Sequence, residues 1–471
     1  MKLFVNMEKY HQEVHHLLEE FFPEEVICSG DLSESDCVVM IRPDSGNITL
    51  KLGENAFTKD FVFVEEEEIF SNSERNTVKM TLYGILQEIR PTNLPWGAFT
   101  GVHPTKITRR LRKLGYSSEL LSNYGVSGEN ISLLNSVCDL QERLLSDKLN
   151  GLSLYVNIPF CPTRCAYCSF PTKAAKENDL FLFEYVEMLR EEISELSKFI
   201  PSDLDTVYVG GGTPTVLSCK LLESFMKSLR ENFNLSALRE FTVEAGRPDT
   251  ITDEKLRILA ENGVDRISIN PQTMCDETLK AISRKHTSKD IERAFETVRR
   301  YKFKTINADI ILGLEGEGEF EMKKTLSRVK ELSPENITVH TLSMKRGARY
   351  MEEHTVRNSD SVKNMVYDAR IFLEKNGFSP YYLYRQKNMI GSLENIGYSK
   401  KGHEGLYNIL MMDELSPILS IGMGAISKFF HGDKITRIAD FREWNVYTER
   451  REEKLLQKIE ELKMMGGCYN V

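Results

Sequence analysis

"YVNIPFCPTRCAYCSFPT", residues 155–172, places three cysteines, Cys161, Cys165 and Cys168, within eight residues. It opens in the short apolar run "LSLYVNIPF", which has the Val/Ile-rich character of a strand, and then breaks into a loop containing Pro, Cys and Arg. Three chemistries compete for such a loop. A structural zinc ion normally takes four ligands, and neither a His nor a fourth Cys lies nearby. A redox CxxC needs only Cys165 and Cys168, which leaves Cys161 unexplained. An iron–sulfur cluster is held by thiolates and accepts tight loop spacing. Three thiolates on a four-iron cluster leave one iron open, as a catalytic metal requires. Arg164, inside the loop, either offsets thiolate charge or is an ordinary solvated side chain.

Downstream the chain keeps a regular rhythm. Strand-like "LSLYVNIPF", "DTVYVGGG", "EFTVEAG", "RISINPQT", "KTINADIILGL" and "NITVHTLSM" alternate with helix-like "LFLFEYVEMLREEISELSKFI", "CKLLESFMKSLRENF", "DEKLRILAENG", "SKDIERAFETVRRYKF" and "GEFEMKKTLSRVKEL". Six strands and five helices in alternation read as βα units around a parallel sheet. Right-handed crossovers curl such a series into part of a β/α barrel. Polar and glycine-rich residues gather at the strand ends: the cysteine loop, "GGGTPT", "VEAGRP", "NPQT", "ADIILGLEG" and "HTLSMKRG". A parallel α/β sheet puts its active site on that side.

Residues 1–150 read as a separate α+β unit. "VVMIRP" and "NITLKL" are strands about the turn "DSGN", "FVFVEEEEIF" is a strand running into an acidic face, and "ERNTVKMTLYGILQEI" is a helix. "LPWGAFTGVHPTKI" is an ordered loop. Residues 151–350 form the barrel and 351–471 a mixed extension. In that extension "SVKNMVYDARIFLEKNGF" is a helix, "PYYLYRQK" a strand, "LSPILSIGMGAISKFF" an apolar glycine-containing stretch, and the charged tail mostly helical.

The bulk composition excludes several classes. With 41% hydrophobic and 28% charged residues and a formal net charge of −9, the chain is neither a charge-driven nucleic-acid binder nor a membrane-surface protein. No run of about 18 apolar residues marks a transmembrane helix. The N-terminus lacks the apolar core of a signal peptide, so a cytoplasmic location is expected. Nine cysteines, six of them scattered singly, do not form a disulfide framework.

CxxxCxxC directly after a first strand, Tyr167 inside its last gap, "GGGTPT" after the second strand and a six-stranded βα series together resemble the radical S-adenosylmethionine (SAM) superfamily. The resemblance covers about residues 150 to 430. It implies an α/β fold: a partial (β/α)6 TIM-like barrel of the radical SAM type, with an N-terminal α+β domain and a mixed C-terminal extension. It also implies a [4Fe-4S] cluster on Cys161, Cys165 and Cys168, and SAM as cosubstrate, its sulfonium cleaved by one electron so that an adenosyl radical abstracts a hydrogen atom.

"YVNIPFC", "GGGTPT", "SINPQT", "SRKHT" and "ADIILGL" resemble more narrowly the oxygen-independent coproporphyrinogen III oxidase (dehydrogenase) group. "LPWGAFTGVHPTKI", "ITVHTLSMKR" and "YYLYRQKN" resemble its HemZ-type branch, which carries an extra N-terminal region. The group's SAM-binding positions fall on Tyr155, Gly211, Gly212, Thr213, Glu244, Gln272, Arg284 and Asp309, with backbone contacts at Ser343 and Ile426; Tyr167 matches an aromatic beside the cluster. One or two SAM molecules are implied, as is oxidative decarboxylation of two propionates to vinyl groups, giving protoporphyrinogen IX. So are a tetrapyrrole substrate and a reductant protein such as flavodoxin or ferredoxin. Taken without the resemblance, the Gly210–Gly212 triplet is a tight βα turn, and Asp309 and Arg284 form a structural ion pair. Lys345, Arg346, Arg349, Arg385 and Lys387 are candidates for the substrate carboxylates, each equally an ordinary surface charge, and His340 is a donor to substrate or a satisfied core histidine.

Two departures stand out. Phe170 occupies the place of the fourth cysteine that other members carry two residues after the third. A sister group of haem chaperones also lacks that cysteine and carries an HNxxYW-like segment. The corresponding "ENIGYS" here keeps Asn395 and Tyr398 but has Glu394 and Ser399 for the His and the Trp.

Overall fold

The computed structural model describes residues 1–471 except 63–72, 100–101, 147–148, 150, 202, 344–358, 387–388, 433 and 469–471. The chain divides into two compact units. The first comprises Met1–Asp139, His354–Lys363 and Tyr384–Glu394; the second takes Leu140–Glu353, Asn364–Leu383 and Asn395–Val471.

The first unit is built on a five-stranded sheet. Cys37–Arg42 pairs antiparallel with Asn47–Leu52 about the expected turn, and Asn55–Asp60 extends the meander. Lys2–Val5 joins the other edge in parallel. Alternation decides which face is covered: Ile48 and Leu50 point inward while Thr49 and Lys51 point out. Helices His11–Phe21 and Ser73–Ile89 pack Val14, Leu18, Phe21, Leu82, Ile85 and Leu86 into the same core. The acidic strand read at residues 61–70 begins irregularly at Phe61 and Val62, and the rest of it lies outside the described residues. The loop read at residues 94–107 ends early. A helix spans Pro104–Lys113 because proline presets φ and its missing N–H is no loss at a helix start.

The second unit holds all six expected strands: β1 (Ser153–Ile158), β2 (Thr206–Gly211), β3 (Glu240–Gly246), β4 (Arg266–Gln272), β5 (Thr305–Leu312) and β6 (Asn336–Thr341). Each pairs in parallel with the next. Helices Leu180–Ser197, Cys219–Asn232, Asp253–Glu261, Ser288–Arg299 and Glu319–Glu331 supply the crossovers. This is the α/β core of a partial (β/α)6 barrel. Strands covered on both faces read as continuous apolar runs, and Val207, Val209, Val243, Ile267, Ile269 and Ile310 are all inaccessible to solvent. Each contributes roughly 1.5–3 kcal/mol of burial.

Five further strands, β7 (Ser379–Tyr384), β8 (Asn395–Ser399), β9 (Ile418–Ile421), β10 (Ile426–His431) and β11 (Lys434–Ala439), extend the sheet in the order β7-β8-β6-β5-β4-β3-β2-β1-β9-β10-β11. β9 pairs in parallel with β1, and β8 antiparallel with β6. The regular register breaks between Glu244 and Gly246 in β3 and between Ile269 and Gln272 in β4. Both bulges sit at C-terminal strand ends, where a bulge re-aims a side chain.

Candidate functional site

A small lock closes the cysteine loop. Phe160–Cys161 and Lys173–Ala174 pair in parallel, with Lys173 N donating to Pro159 O and Ala175 N to Cys161 O, both at 2.9 Å. Inside it, Cys168 N donates to Cys165 O (3.1 Å) and Ala166 N reaches Ile282 O (3.1 Å). Thr163 Oγ1 donates to Ser283 O (3.3 Å). The three thiols are free and half-buried. Phe170 points to solvent, 62% exposed. Among the described residues no group of three or more His, Cys, Asp or Glu is arranged to hold a single metal ion.

The thiols differ in electrostatics. Burial pushes the Cys161 thiol up to about 11, and burial also raises Cys168. Cys165 moves the other way: burial alone would raise it, but the guanidinium charges of Arg284 and Arg247 outweigh that and hold it below the usual thiol value. Arg247 Nη1 lies 3.7 Å from Cys165 Sγ, and Thr213 Oγ1 donates to Cys161 Sγ at 3.5 Å.

β2 delivers the glycine turn beside this loop. Gly212 N donates to Ile158 O (2.9 Å) and Thr213 N to Phe160 O (2.7 Å), so the turn is stitched to the strand that leads into the cysteines. A Cβ on Gly212 would lie 2.5 Å from Phe160 O, and one on Gly210 would lie 2.8 Å from Glu244 Cδ. Gly211 adopts φ 100°. The glycines therefore answer first to protein neighbours.

Glu244 projects from β3 and accepts the phenol proton of Tyr208. Burial pushes its carboxyl up to about 7, against the pull of that hydrogen bond. Asp309 accepts from Asn307 Nδ2 (2.8 Å) and faces His340 Nε2 at 3.7 Å. Burial would raise its carboxyl, but His340, Asn307 and Thr338 together lower it. The Asp309–Arg284 ion pair weighed from sequence is not formed. Arg284 instead donates to Asn270 O and, through Nη2, to Tyr167 OH (3.2 Å). Tyr155 OH donates to Asn157 Oδ1 (3.0 Å), and its ring stacks 6.1 Å from that of Tyr208.

Of the side chains expected to contact SAM, Gln272 and Arg284 each keep a buried polar atom without a protein partner, Gln272 Oε1 and Arg284 Nε. Gln272 also sits at φ 66°, a left-handed conformation that glutamine adopts at a cost of about 1–3 kcal/mol. An acceptor and a cationic donor, both buried and open, fit a ligand carrying an ammonium and a carboxylate. Ser343 follows β6, half-buried. Ile426 opens β10, and its carbonyl already accepts from Ser420 Oγ at 2.8 Å.

Other sequence candidates resolve differently. Lys345, Arg346, Arg349 and Lys387 lie outside the described residues. Arg385 is buried, its guanidinium spent on the carbonyls of Phe99, Ser392 and Leu393. In "ENIGYS", Glu394 accepts the indole proton of Trp96 (2.7 Å), Asn395 Oδ1 accepts from Thr341 N (2.9 Å), and Tyr398 and Ser399 are buried in β8. Sequence reasoning missed Asn157, Tyr208, Arg247, Asp249 and His286. The signal was present for Arg247, a cation set directly after the strand-ending Gly246 in "EAGRP".

The signature of the Radical SAM superfamily matches residues 155–329. The chain is 36% identical over 460 residues to the "Oxygen-independent coproporphyrinogen-III oxidase-like protein HemZ" of Bacillus subtilis, covering 94% of this chain and 91% of that protein. The chain belongs to the radical SAM superfamily, in the oxygen-independent coproporphyrinogen-III oxidase-like group. It is also 30% identical over 325 residues to the "Heme chaperone HemW" of Lactococcus lactis, covering 67% of this chain and 80% of that one. In fold it is similar to coproporphyrinogen III oxidase (HemN) from Escherichia coli, with TM-score 0.53 and 23% identity over 67% of this chain and 73% of that one. Members of the superfamily use a [4Fe-4S] cluster and SAM, and the donor set fits both: three cysteines on one locked loop, and beside it Gln272 and Arg284 with buried valences open. No helix among the described residues is long and apolar enough to cross a membrane.

Proposed function

We propose that this protein is a radical SAM coproporphyrinogen dehydrogenase, converting two propionate side chains of coproporphyrinogen III to vinyl groups and yielding protoporphyrinogen IX. The observation that carries the reading is the near full-length likeness to the oxidase-like protein of B. subtilis, which includes the region ahead of the barrel. In this reading Cys161, Cys165 and Cys168 hold the cluster. Tyr155, Tyr167, Gly211, Gly212, Thr213, Glu244, Gln272, Arg284, Asp309, Ser343 and Ile426 surround SAM. Bound there, the two groups supply the one-electron chemistry that removes a hydrogen atom from an unactivated carbon.

The chain's own residues do the positioning. Arg284 donates to the amino-acid carboxylate by a charge-assisted bond. Gln272 Oε1 accepts from the ammonium, and Glu244 and Asp309 accept from ammonium or ribose hydroxyls. The tetracarboxylate substrate calls for cations, and Lys345, Arg346, Arg349 and Lys387 are the candidates for that recess. Each propionate loses a hydrogen atom, CO2 and one electron, so a one-electron acceptor completes turnover. A cytoplasmic reductant protein of the flavodoxin or ferredoxin class supplies the priming electron.

A second reading has its own support. Phe170 stands where a fourth cysteine is expected, and a haem chaperone shares 30% identity over 67% of the chain. Anaerobic incubation with coproporphyrinogen III, SAM and dithionite separates the two. Vinyl product with 5′-deoxyadenosine supports the dehydrogenase. Stoichiometric haem binding without decarboxylation supports the chaperone. Deoxyadenosine without either outcome overturns both substrate assignments.

A further inference from the structure

We infer that Arg247, anchored from behind by Asp249 and His286, is a positioning residue that fixes the Cys165 corner of the cluster and raises the cluster's reduction potential. The inference rests on the cluster assignment above. Arg247 is 3% exposed and fully committed. Its Nη2 donates to Thr163 Oγ1 (3.0 Å) and its Nη1 to Thr163 O (3.4 Å), and Nη1 also reaches Cys165 Sγ (3.7 Å). Its Nε donates to Asp249 Oδ1 (3.1 Å), and its Nη2 to Asp249 Oδ2 (3.4 Å). One guanidinium thus grips two residues of the cysteine loop.

Arg247 and Arg284 both neighbour Cys165, but they differ. Arg284 keeps a buried Nε without a partner, as a ligand-binding arginine should. Arg247 has a protein partner on every nitrogen, which leaves it a structural and electrostatic role.

Behind Arg247, Asp249 also faces His286 Nδ1 at 3.4 Å. The imidazole is 1% exposed, and neither of its ring nitrogens has a hydrogen-bond partner. Asp249 and His286 line a cavity of about 360 Å³ together with Lys285, Asp290 and Arg293. The array runs from that cavity to a cluster sulfur: His286, Asp249, Arg247, Cys165. Adding an electron makes the cluster more negative, so a buried cation and an N–H donor on its sulfur favour the reduced form.

The test is an anaerobic EPR redox titration of the reconstituted full-length protein without SAM, with iron counted on the same samples. Arg247→Gln should lower the reduced-to-oxidised ratio at fixed potential about tenfold, a shift of ~59 mV for one electron. Arg247→Lys should recover most of it. Asp249→Asn leaves the cation without its counter-charge and should move the midpoint the opposite way. Unchanged midpoints in loaded variants overturn the inference, as do shifts of one sign in Arg247→Gln and Asp249→Asn. If Arg247→Gln fails to load, the sign of the Asp249→Asn shift decides alone. A wild-type chain that takes up no cluster refutes the cofactor assignment instead.

Discussion

A Cβ on Gly211 would lie 1.7 Å from Oδ1 of Asn157. Asn157 is itself pinned, its Nδ2 donating to Met423 O at 2.6 Å and its Oδ1 accepting from Tyr155 OH at 3.0 Å. The side chain therefore has no room to retreat. Gly211 also holds φ 100°, outside the range of L side chains. Gly211→Ala should lower stability by about 1–3 kcal/mol in chemical denaturation. It should also abolish SAM binding in equilibrium dialysis. Adding Asn157→Ala removes the clash but not the backbone strain, so only partial recovery is expected. Full recovery in the double variant would show that the conformation at Gly211 costs nothing.

The thiolates are a second point of test. Cys165 is the one whose environment favours the thiolate, through Arg284 and Arg247. Cys165→Ser should remove the brown iron absorbance, and with it all SAM cleavage. Phe170→Cys should leave iron content unchanged, because that side chain is 62% exposed. Full iron content in anaerobically purified Cys165→Ser would mean that the ligands lie elsewhere.

Glu244 makes stability depend on pH. Its carboxyl is raised by burial from 4.5 to about 7, so the folded state binds the proton more tightly than the unfolded chain. Its contribution is complete below pH 4.5 and is lost as pH rises toward about 7, at up to ~1.4 kcal/mol per pH unit. Glu244→Gln should flatten the stability profile between pH 5 and 7, measured by urea unfolding of the cofactor-free protein. Parallel profiles for the two proteins would contradict this environment.

Much of this site was legible because chemistry and periodicity coincide. The six strands show as apolar runs, and the polar residues that interrupt them, Glu244 and Asp309 within their strands and Gln272 at the end of its own, are anomalous in such runs. What stayed hidden depends on contacts between distant segments. Asn157 looks like a neutral strand residue until Gly211 is laid against it. Arg247 looks like a turn residue until Asp249 and His286 are brought together around it. Arg385 shows the converse error, since a cation in "YYLYRQKN" has the same sequence character whether it faces a substrate or a set of carbonyls. Pro104 starts a helix where glycine and proline together read as loop, because the meaning of proline depends on its position in the turn.

Arg385 supplies a prediction of its own. Its guanidinium serves three backbone carbonyls and lies 5.2 Å from the Trp96 ring centroid, and burial lowers it to about 10. Arg385→Ala would leave buried carbonyls unmet at about 1–3 kcal/mol each. A loss of at least ~3 kcal/mol is expected, with Arg385→Lys recovering little because an ammonium lacks the planar fork. A variant of wild-type stability with a raised KM for the tetrapyrrole would return Arg385 to the substrate site.

The last prediction concerns Lys458, which is wholly buried, 2.6 Å from Asp440 Oδ2 and 3.9 Å from Glu192 Oε2. Glu192 also accepts the phenol proton of Tyr447, so this group ties the C-terminal helix Trp444–Cys468 to the helix Leu180–Ser197. Burial raises the Asp440 carboxyl to about 6 even with the lysine present. Lys458→Met removes the cation from two buried carboxylates, a change that costs about 3–5 kcal/mol when a buried pair is broken. The deficit has a direction in pH. Without the lysine, Asp440 holds its proton to still higher pH, so folding must force a proton uptake that grows harder as pH rises. The loss should therefore be smaller near pH 5 than near pH 8, and Asp440→Asn in the same chain should remove most of that difference. Equal losses at the two pH values would mean that the methionine acts through packing and that the charge of Asp440 is met by another group.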